Sequence, residues 1–183
     1  MRVIAGIYRG RVLKSPPDSK TRPTSDRLRE TLFNILNPRI TEDTIFLDLC
    51  AGTGAIGIEA ISRGVQKTIF VELARRNCAI IEENLDNLEI PEEQTEVICE
   101  KAEKFLLKTK TEFDIVYFDP PYKEDYVKVL MQFGTIESNL LKINGVFIAE
   151  HSVKTNLPDL VGELRRWRIL KQGDSALSFY EKN

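Results

Sequence analysis

The feature that most constrains the fold is a glycine-rich segment between a predicted strand and a predicted helix. Residues 44–49 form a short apolar run that is typical of a buried strand, and residues 55–63 have a helical pattern. Gly52 and Gly54 lie between the two segments and Gly57 lies within the second, and together they satisfy the pattern G-x-G-x-x-G. Glycines at this spacing let the backbone approach a nucleotide closely and let the helix pack tightly on the strand. The segment therefore predicts a βα unit of a nucleotide-binding sheet.

The rest of the chain continues this alternation of strands and helices. Further strands are predicted at 67–72, 95–99, 113–118 and 145–150, and further helices at 74–88, 102–108 and 126–133, with another helical turn over 136–141. This order predicts an α/β fold with a mainly parallel sheet. Strands 167–170 and 176–180 have no helix between them, so we expect them to pair antiparallel at the sheet edge.

The amino-terminal region predicts a separate arrangement. Residues 2–14 have the apolar alternation around glycines that is typical of a β-hairpin. Cap-type side chains at 23–26 then precede a helical pattern, which stops at Pro38. We predict an extension over residues 1–40 and a sheet domain over residues 41–183.

Charge is distributed unevenly along the 183 residues. The net charge of −2 is the sum of +5 over residues 1–30 and −7 over the rest. A basic arm on an acidic body indicates an anionic partner, although a solvated polar face would have the same composition.

Several classes of protein are disfavoured by composition. Cys50, Cys78 and Cys99 form no C-x-x-C pair, which disfavours a zinc finger or a redox dithiol. The one histidine, His151, is not preceded by the G-x-S-x-G of a serine hydrolase. No apolar run approaches the ~18 residues of a membrane span, and no secretory signal is evident. We expect a cytoplasmic protein with no metal and no membrane partner.

Two acidic residues at predicted strand ends define the ligand of the glycine loop. Glu72 ends the second strand, 20 residues after Gly52, which suits a carboxylate that binds ribose hydroxyls. The glycine loop and Glu72 together predict a ligand that contains adenosine, either a dinucleotide or S-adenosylmethionine. A dinucleotide would place its pyrophosphate at the helix N-terminus. S-adenosylmethionine carries an ammonium group instead, which Asp48 could bind; alternatively, Asp48 binds the amides of its own turn.

A second motif, Asp119-Pro120-Pro121-Tyr122, follows the fourth predicted strand. Ligands of open α/β sheets bind beyond the carboxyl ends of the strands, so Asp48, Gly52 and Asp119 are expected to share one cleft. The Asp119 side chain and the proline carbonyls are acceptors suited to the N–H groups of an exocyclic amine. Tyr122 offers a flat face on which a nucleobase can stack.

These two motifs resemble those of class I S-adenosylmethionine-dependent methyltransferases that modify exocyclic amines. The chain is most similar to the bacterial 16S ribosomal RNA guanine-N2 methyltransferases, over nearly its whole length. The segments that carry this resemblance are residues 2–6, 8–11, 21–27, 32–36, 57–64, 150–151 and 176–180. The resemblance implies a Rossmann-like class I methyltransferase fold. It also implies a mainly parallel seven-stranded sheet with an antiparallel C-terminal strand, preceded by the hairpin and helix.

The resemblance also implies a set of functional residues. The catalytic residues are Asp119, Pro120, Pro121 and Tyr122. The residues that bind the cofactor are Asp48, Ala51, Gly52, Thr53, Gly54, Glu72, Ala102 and Asp119. Relatives commonly have Asp-Ala after the third strand, whereas this chain has Lys101-Ala102 preceded by Glu100. An adenine contact there would come from backbone N–H groups or from Glu100.

The implied reaction is methyl transfer from S-adenosylmethionine to the N2 amine of a guanine in 16S rRNA within the 30S subunit. Asp119 would accept hydrogen bonds from the amine and stabilise the positive charge that develops on it. The residues expected to bind RNA phosphates are Arg9, Arg11, Lys14, Arg22 and Arg27. We expect a monomer in which residues 1–40 contact RNA and residues 41–183 form the methyltransferase domain.

Three alternatives remain at this point. An NAD-dependent oxidoreductase would use the glycine loop and Glu72, but it leaves Asp119-Pro120-Pro121-Tyr122 unexplained. A methyltransferase for DNA adenine N6 or protein glutamine would share the amine chemistry. A non-enzymatic RNA-binding adaptor would bind RNA without the cofactor.

Overall fold

The computed structural model describes residues 1–16, 25–121 and 125–182. The helices are α1 (Asp26–Leu36), α2 (Ala55–Ser62), α3 (Arg75–Asn87), α4 (Ala102–Leu106) and α5 (Tyr126–Gly134). The strands are β1 (Ile45–Leu49), β2 (Lys67–Glu72), β3 (Thr95–Cys99), β4 (Phe113–Phe118), β5 (Leu141–Ser152), β6 (Leu160–Val161), β7 (Leu164–Gln172) and β8 (Ser175–Lys182). Two 3-10 turns lie at Asn37–Arg39 and Glu92–Gln94.

The strands form one sheet in the order β3-β2-β1-β4-β5-β8-β7-β6. The first five strands are parallel, and the β5–β8, β8–β7 and β7–β6 pairs are antiparallel. This mixed sheet agrees with the predicted α/β fold. The described sheet has eight strands rather than the predicted seven, because β6 is a two-residue strand too short to leave an alternating pattern in the sequence.

The carboxyl-terminal part of the sheet differs from its prediction in two places. The strand pair β7–β8 is antiparallel as expected, but β8 lies between β5 and β7 rather than at the edge. Residues 136–137 form a turn, no helix follows over 138–140, and β5 already begins at Leu141, where a helical turn was predicted. Positions 138–141 read Ser-Asn-Leu-Leu, in which two adjacent apolar residues do not distinguish a strand from a helix.

The amino-terminal hairpin is present only as a short stretch of antiparallel pairing. Arg2 and Val12 form an isolated bridge, and Val3 N–H donates to the Arg11 carbonyl at 2.9 Å. The helix that follows begins as predicted, because Ser25 is the N-cap of α1 and its Oγ accepts from Leu28 N–H at 3.2 Å.

The sheet is covered on both faces by hydrophobic side chains. One core contains residues of α1, α2 and α3 together with Phe46 and Tyr117 of the sheet. The other contains residues of α4 and α5 together with Val116 and Phe147. Because α1 packs in the same core as β1, residues 1–40 do not have a separate core in the described part of the chain; the division at residue 40 stays a prediction. Among the described residues, no helix is both long and apolar enough to span a bilayer.

Replacing Gly57 by alanine is expected to destabilise the fold by about 1–3 kcal/mol. A Cβ at this position of α2 would lie 2.2 Å from Cε1 of Phe70 and 2.8 Å from Cγ2 of Thr68, both buried side chains of β2. Alanine otherwise favours a helix over glycine by about 1 kcal/mol. Urea unfolding measures the change, and a more stable Gly57→Ala protein would contradict this account.

Candidate active site

The candidate site lies where β1 and β4 end side by side. The two strands are parallel, with Asp48 opposite Tyr117 and Leu49 opposite Phe118. The segments that follow them therefore leave the sheet at the same edge, and Asp119 N–H donates to the Leu49 carbonyl at 3.4 Å. The structure thus brings the glycine loop and Asp119 together, as the strand order of a nucleotide-binding sheet requires.

The glycine loop turns sharply between β1 and α2. The N–H groups of Cys50 and Ala51 both donate to the Val71 carbonyl, at 2.9 and 3.0 Å. Gly52 and Gly54 have φ angles of +58° and +76°, which L side chains rarely adopt. A Cβ built on Gly52 would meet nothing within 4 Å. The space beyond Gly52 can therefore accommodate a ligand that approaches the backbone.

Glu72 supports this loop from the end of β2. Its Oε2 accepts from Gly52 N–H at 2.8 Å, and its Oε1 accepts from Ala74 N–H at 2.7 Å. A carboxylate oxygen has two lone pairs, so each oxygen can accept a further hydrogen bond from a ribose hydroxyl.

Asp48 is buried below the loop. Its Oδ2 accepts from Gly57 N–H at 2.9 Å. Asp48 therefore binds a backbone amide of its own βα unit, which resembles the alternative in which it binds the amides of its own turn. Burial raises the pKa of Asp48 to about 7, and the negative charge of Glu72 raises it further, while the bond from Gly57 opposes the shift. A cation beside this carboxyl group would favour its ionised form.

Asp119 lies at the same edge and is accessible to solvent, although the surrounding cleft removes much of its hydration. This desolvation, followed by the negative charges of Glu150 and Asp48, raises its pKa well above the usual range. Glu150 is a buried residue of β5 whose Oε2 accepts a hydrogen bond from the Tyr117 hydroxyl, and whose backbone carbonyl accepts from the Tyr126 hydroxyl at 3.1 Å.

Sequence reasoning gave no role to Glu150 or Tyr117. Both belong to apolar runs that predict strands, and the influence of Glu150 on the pKa of Asp119 depends on β5 lying next to β4. The one available signal is that Glu150 ends such a run, in the way that Glu72 ends β2.

The remaining catalytic and cofactor residues of the prediction lie around this edge. Pro120 is buried and Pro121 is exposed, while Tyr122 lies outside the described residues. Ala102 is the first residue of α4, after Lys101 at the N-cap position. Glu100 binds the ammonium groups of Lys104 and Lys108 at 2.8 Å each, and these bonds lower its pKa. A contact between Glu100 and adenine would compete with these two ion pairs.

The basic side chains of the prediction that the structure describes differ in their surroundings. Arg9 and Arg27 are exposed, and Arg22 lies outside the described residues. The Arg11 guanidinium donates to the Asn87 carbonyl at 2.7 Å, and the Lys14 ammonium forms an ion pair with Glu83. Arg11 and Lys14 therefore bind the body of the protein in this structure.

Arg9 lies at the far end of α2 from the glycine loop. Its turn packs on the carboxyl-terminal residue of that helix, where Ile7 N–H donates to the Ser62 carbonyl at 2.8 Å. Eight helical residues separate this contact from the loop by about 12 Å. Arg27 belongs to the first turn of α1, and the opposite end of α1 leads into β1 at the amino edge of the sheet. Asp26 of the same turn lines one pocket with Arg9 and Glu30, so Arg9 and the start of α1 lie on the same side of the molecule.

The charges of the cleft decide between the two adenosine ligands left open by the sequence. The negative charge of Glu72 raises the pKa of Asp48, and the negative charges of Glu150 and Asp48 raise the pKa of Asp119. A pyrophosphate would be repelled by these carboxyl groups, whereas an ammonium group would be attracted. The site therefore fits S-adenosylmethionine, whose ammonium group these carboxyl groups would attract.

His151 has partners of its own, whereas Cys78 Sγ donates to the Glu72 carbonyl at 3.4 Å. The imidazole of His151 contacts the Ser152 carbonyl at 2.9 Å and Ser178 Oγ at 2.8 Å, and burial lowers its pKa. The three thiols are not in disulfides. Over residues 1–16, 25–121 and 125–182, no group of three acidic, histidine or cysteine side chains is arranged to hold a metal ion.

Comparison with known proteins identifies the family. A family model described as "Conserved hypothetical protein 95" matches residues 1–181. The chain is 37% identical to "Putative rRNA methyltransferase YlbH" of Bacillus subtilis, over 100% of this chain and 99% of that protein. It is 35% identical to ribosomal RNA small subunit methyltransferase D of Haemophilus influenzae, over 98% and 91% of the two chains.

The fold has a close match among solved structures. The structure of the Escherichia coli protein yhhF superposes with a TM-score of 0.88 at 30% identity, over 100% of this chain and 98% of that one. The predicted class I methyltransferase fold is thereby confirmed. The chain belongs to the conserved hypothetical protein 95 family and to the family of ribosomal RNA small subunit methyltransferases D.

Proposed function

We propose that the chain transfers a methyl group from S-adenosylmethionine to the N2 amine of a guanine in 16S rRNA, within the 30S subunit. The observation that carries this proposal is the position of Asp119 and Pro120 beside the acidic edge of the glycine loop. The names of the relatives support ribosomal RNA of the small subunit as the substrate class. Asp119-Pro120-Pro121-Tyr122 indicates an exocyclic amine, and guanine N2 rests on the resemblance that extends over nearly the whole chain.

S-adenosylmethionine supplies an electrophilic methyl group when it is bound. The chain's own residues would then hold the amine in line with that methyl group, which lowers the barrier by fixing the geometry of attack. The Asp119 carboxylate and the Pro120 carbonyl would accept hydrogen bonds from the amine. Asp119 would stabilise the positive charge that develops on nitrogen, and the proton would leave to solvent after attack.

The elevated pKa of Asp119 fits this role. A carboxyl group that loses hydration in a cleft next to Glu150 and Asp48 is poorly stabilised as an anion. The positive charge that develops on the substrate amine would stabilise the Asp119 anion in the transition state. The neutral amine of the ground state stabilises this anion less. Interactions that strengthen toward the transition state are the ones that raise kcat.

Substrate binding is assigned to the basic side chains and to Tyr122. Arg27 and Arg9 are exposed and can bind phosphates, and Arg22 and Tyr122 complete the proposed set. Arg11 and Lys14 would have to exchange their present partners, Asn87 and Glu83, for phosphates. Tyr122 would stack on the guanine after it is turned out of its RNA context. We propose that the protein works as a monomer in the cytoplasm.

The test is methyl transfer from radiolabelled S-adenosylmethionine to unmodified 30S subunits, naked 16S RNA and DNA, followed by nucleoside analysis. Label in N2-methylguanosine from 30S subunits supports the proposal, and the naked RNA shows whether ribosomal proteins help to present the base. Label in N6-methyladenine of DNA would show that the substrate is DNA adenine and would overturn the assignment of guanine in 16S rRNA. Cofactor binding without label in any of the three would direct the assay to protein glutamine.

Cofactor affinity is expected to depend on pH through Asp48. S-adenosylhomocysteine carries the same ammonium group as the methyl donor, and it should bind best when Asp48 is ionised. Because the pKa of Asp48 in the free protein is about 7, the Kd should rise up to about tenfold per pH unit below that value and level off above it. Calorimetric titration from pH 5.5 to 8.5 measures this dependence. Asp48→Asn should bind weakly with a flat profile, and an equally steep profile in that variant would contradict the assignment.

Ionisation of Asp48 is expected to strengthen cofactor binding but to lower the stability of the free protein. The folded pKa of about 7 is raised above the ordinary value of 3.8, so folding favours the protonated form. The stabilising contribution of the protonated carboxyl group is present below about pH 4 and is lost as pH rises through about 7.

A further inference from the structure

Asn84 has a position that the proposed reaction does not use. It is a residue of α3, and 1% of its surface is exposed. Its Oδ1 accepts from Lys14 N–H at 2.7 Å, and its Nδ2 donates to the Lys14 carbonyl at 3.2 Å and to the Thr53 carbonyl at 3.3 Å. Both amide hydrogens and the carbonyl oxygen are therefore engaged.

The two segments that Asn84 joins belong to different parts of the molecule. Lys14 follows the antiparallel pairing of residues 1–13, and Asn84 binds its backbone as a neighbouring strand would. Thr53 lies in the glycine loop, between the two glycines with positive φ. Glu72 holds the same loop from the other side through Gly52 N–H. The loop is thus supported at two adjacent residues by two buried side chains.

We propose that Asn84 is a positioning residue that couples docking of the amino-terminal arm, residues 1–14, to cofactor binding at the glycine loop. The inference rests on the proposed cofactor site and does not depend on the RNA substrate. Detachment of Lys14 removes two of the three bonds that fix the Asn84 amide, and displacement of Thr53 removes the third. A ligand that stabilises the loop therefore stabilises the docked arm, and the docked arm raises ligand affinity by the same factor.

Trypsin cleavage after Lys14 reports the docked state directly. A protease needs an extended, accessible backbone, so the Lys14–Ser15 bond can be cut only after the Lys14 backbone leaves Asn84. In the wild-type chain, saturating S-adenosylhomocysteine is expected to slow this cleavage at least about fivefold, the lower end of typical coupling between sites. Cleavage after the exposed Lys110, in the segment between α4 and β4, serves as the internal control.

The variant Asn84→Asp tests the side chain itself. It keeps the shape and an acceptor for Lys14 N–H, but it removes the two N–H donors. We expect the ligand to slow cleavage after Lys14 less than twofold in this variant, and the Kd for S-adenosylhomocysteine to rise about fivefold or more. Asn87→Asp makes the same change at an exposed side chain of α3, where the carbonyl that binds Arg11 is retained. It should behave as wild type.

The outcomes separate this inference from the proposed function. Equal protection of the Lys14 site in wild type and Asn84→Asp, or ligand binding without protection in wild type, would overturn the coupling and leave methyl transfer intact. A chain that binds no S-adenosylhomocysteine overturns both. If Asn84→Asp does not fold, hydrogen exchange of the Lys14 amide in the wild-type chain decides, and an exchange rate unchanged by the ligand overturns the coupling.

Discussion

Replacing Asp119 by alanine is expected to lower kcat for methyl transfer by about 10²–10³, the usual effect of removing a group that stabilises transition-state charge. The Kd for S-adenosylhomocysteine should change less than about fivefold, because Asp48, Glu72 and the glycine loop retain their contacts. Single-turnover assays with saturating methyl donor and 30S subunits measure the chemical step, and calorimetry measures binding.

Two further variants separate charge from shape at this position. Asp119→Asn keeps an acceptor oxygen but not the negative charge, so it should retain more activity than alanine and less than wild type. Asp43→Ala removes an exposed carboxylate at the amino edge of the sheet and should leave kcat unchanged. Wild-type turnover by Asp119→Ala would exclude the proposed role of the carboxylate.

The variant Glu150→Gln tests the environment of Asp119 through the pH dependence of the reaction. Its negative charge contributes to the raised pKa of Asp119, so Glu150→Gln should lower that pKa. Activity that depends on ionised Asp119 should then appear at lower pH than in wild type. Comparing the pH–rate profiles of the two proteins measures the shift.

The sequence predicted the parts of the site that follow from local pattern. A strand, three glycines and a helix locate the loop, and the apolar run of β4 locates Asp119, because both signals are complete within about 15 residues. The parallel alternation of strands and helices then predicts that their carboxyl ends share one edge. The structure has Asp48, Gly52, Glu72 and Asp119 at this edge.

The parts that the sequence did not predict depend on contacts between distant segments. The neighbours of Asp119 depend on strand order, and a pattern does not reveal that β5 lies beside β4 or that β8 lies beside β5. The Lys14–Asn84 contact joins residues 70 positions apart. Similarly, composition reveals the positive charge of residues 1–30 but not that Arg11 binds a helix carbonyl and that Lys14 is paired with Glu83.

Replacing Glu59 by alanine is expected to lower the free energy of unfolding by about 3–5 kcal/mol, the effect of breaking a buried ion pair. Glu59 is fully buried on α2, where its carboxylate accepts from Ile4 N–H at 2.7 Å and from Ala5 N–H at 3.0 Å. It also binds Nε of Arg63 at 2.8 Å. Truncation would leave three partly buried donors without this acceptor.

The nearby Arg29 adds to this cost. Its side chain is fully buried on α1, and its Nε and Nη1 have no hydrogen-bond partner within residues 1–16, 25–121 and 125–182. Burial lowers the pKa of Arg29, and the negative charge of Glu59 opposes that shift. Removing Glu59 would therefore leave a desolvated guanidinium with Asp26 as its remaining acidic partner among the described residues. The variant loses a favourable charge as well as its hydrogen bonds.

Urea unfolding of Glu59→Ala, Glu59→Gln and Glu30→Ala tests this account. Glutamine keeps one acceptor oxygen, so its loss should fall between those of the other two variants. Glu30 is an exposed residue of α1, and its replacement should change stability by less than about 0.5 kcal/mol. A loss below 1 kcal/mol in Glu59→Ala would mean that water replaces the carboxylate, and that the amino-terminal arm is not held to α2 by these bonds. A loss in the expected range would mean that Glu59 holds residues 4–5 against α2, the helix that begins at the glycine loop. These bonds are separate from those of Asn84, which hold Lys14.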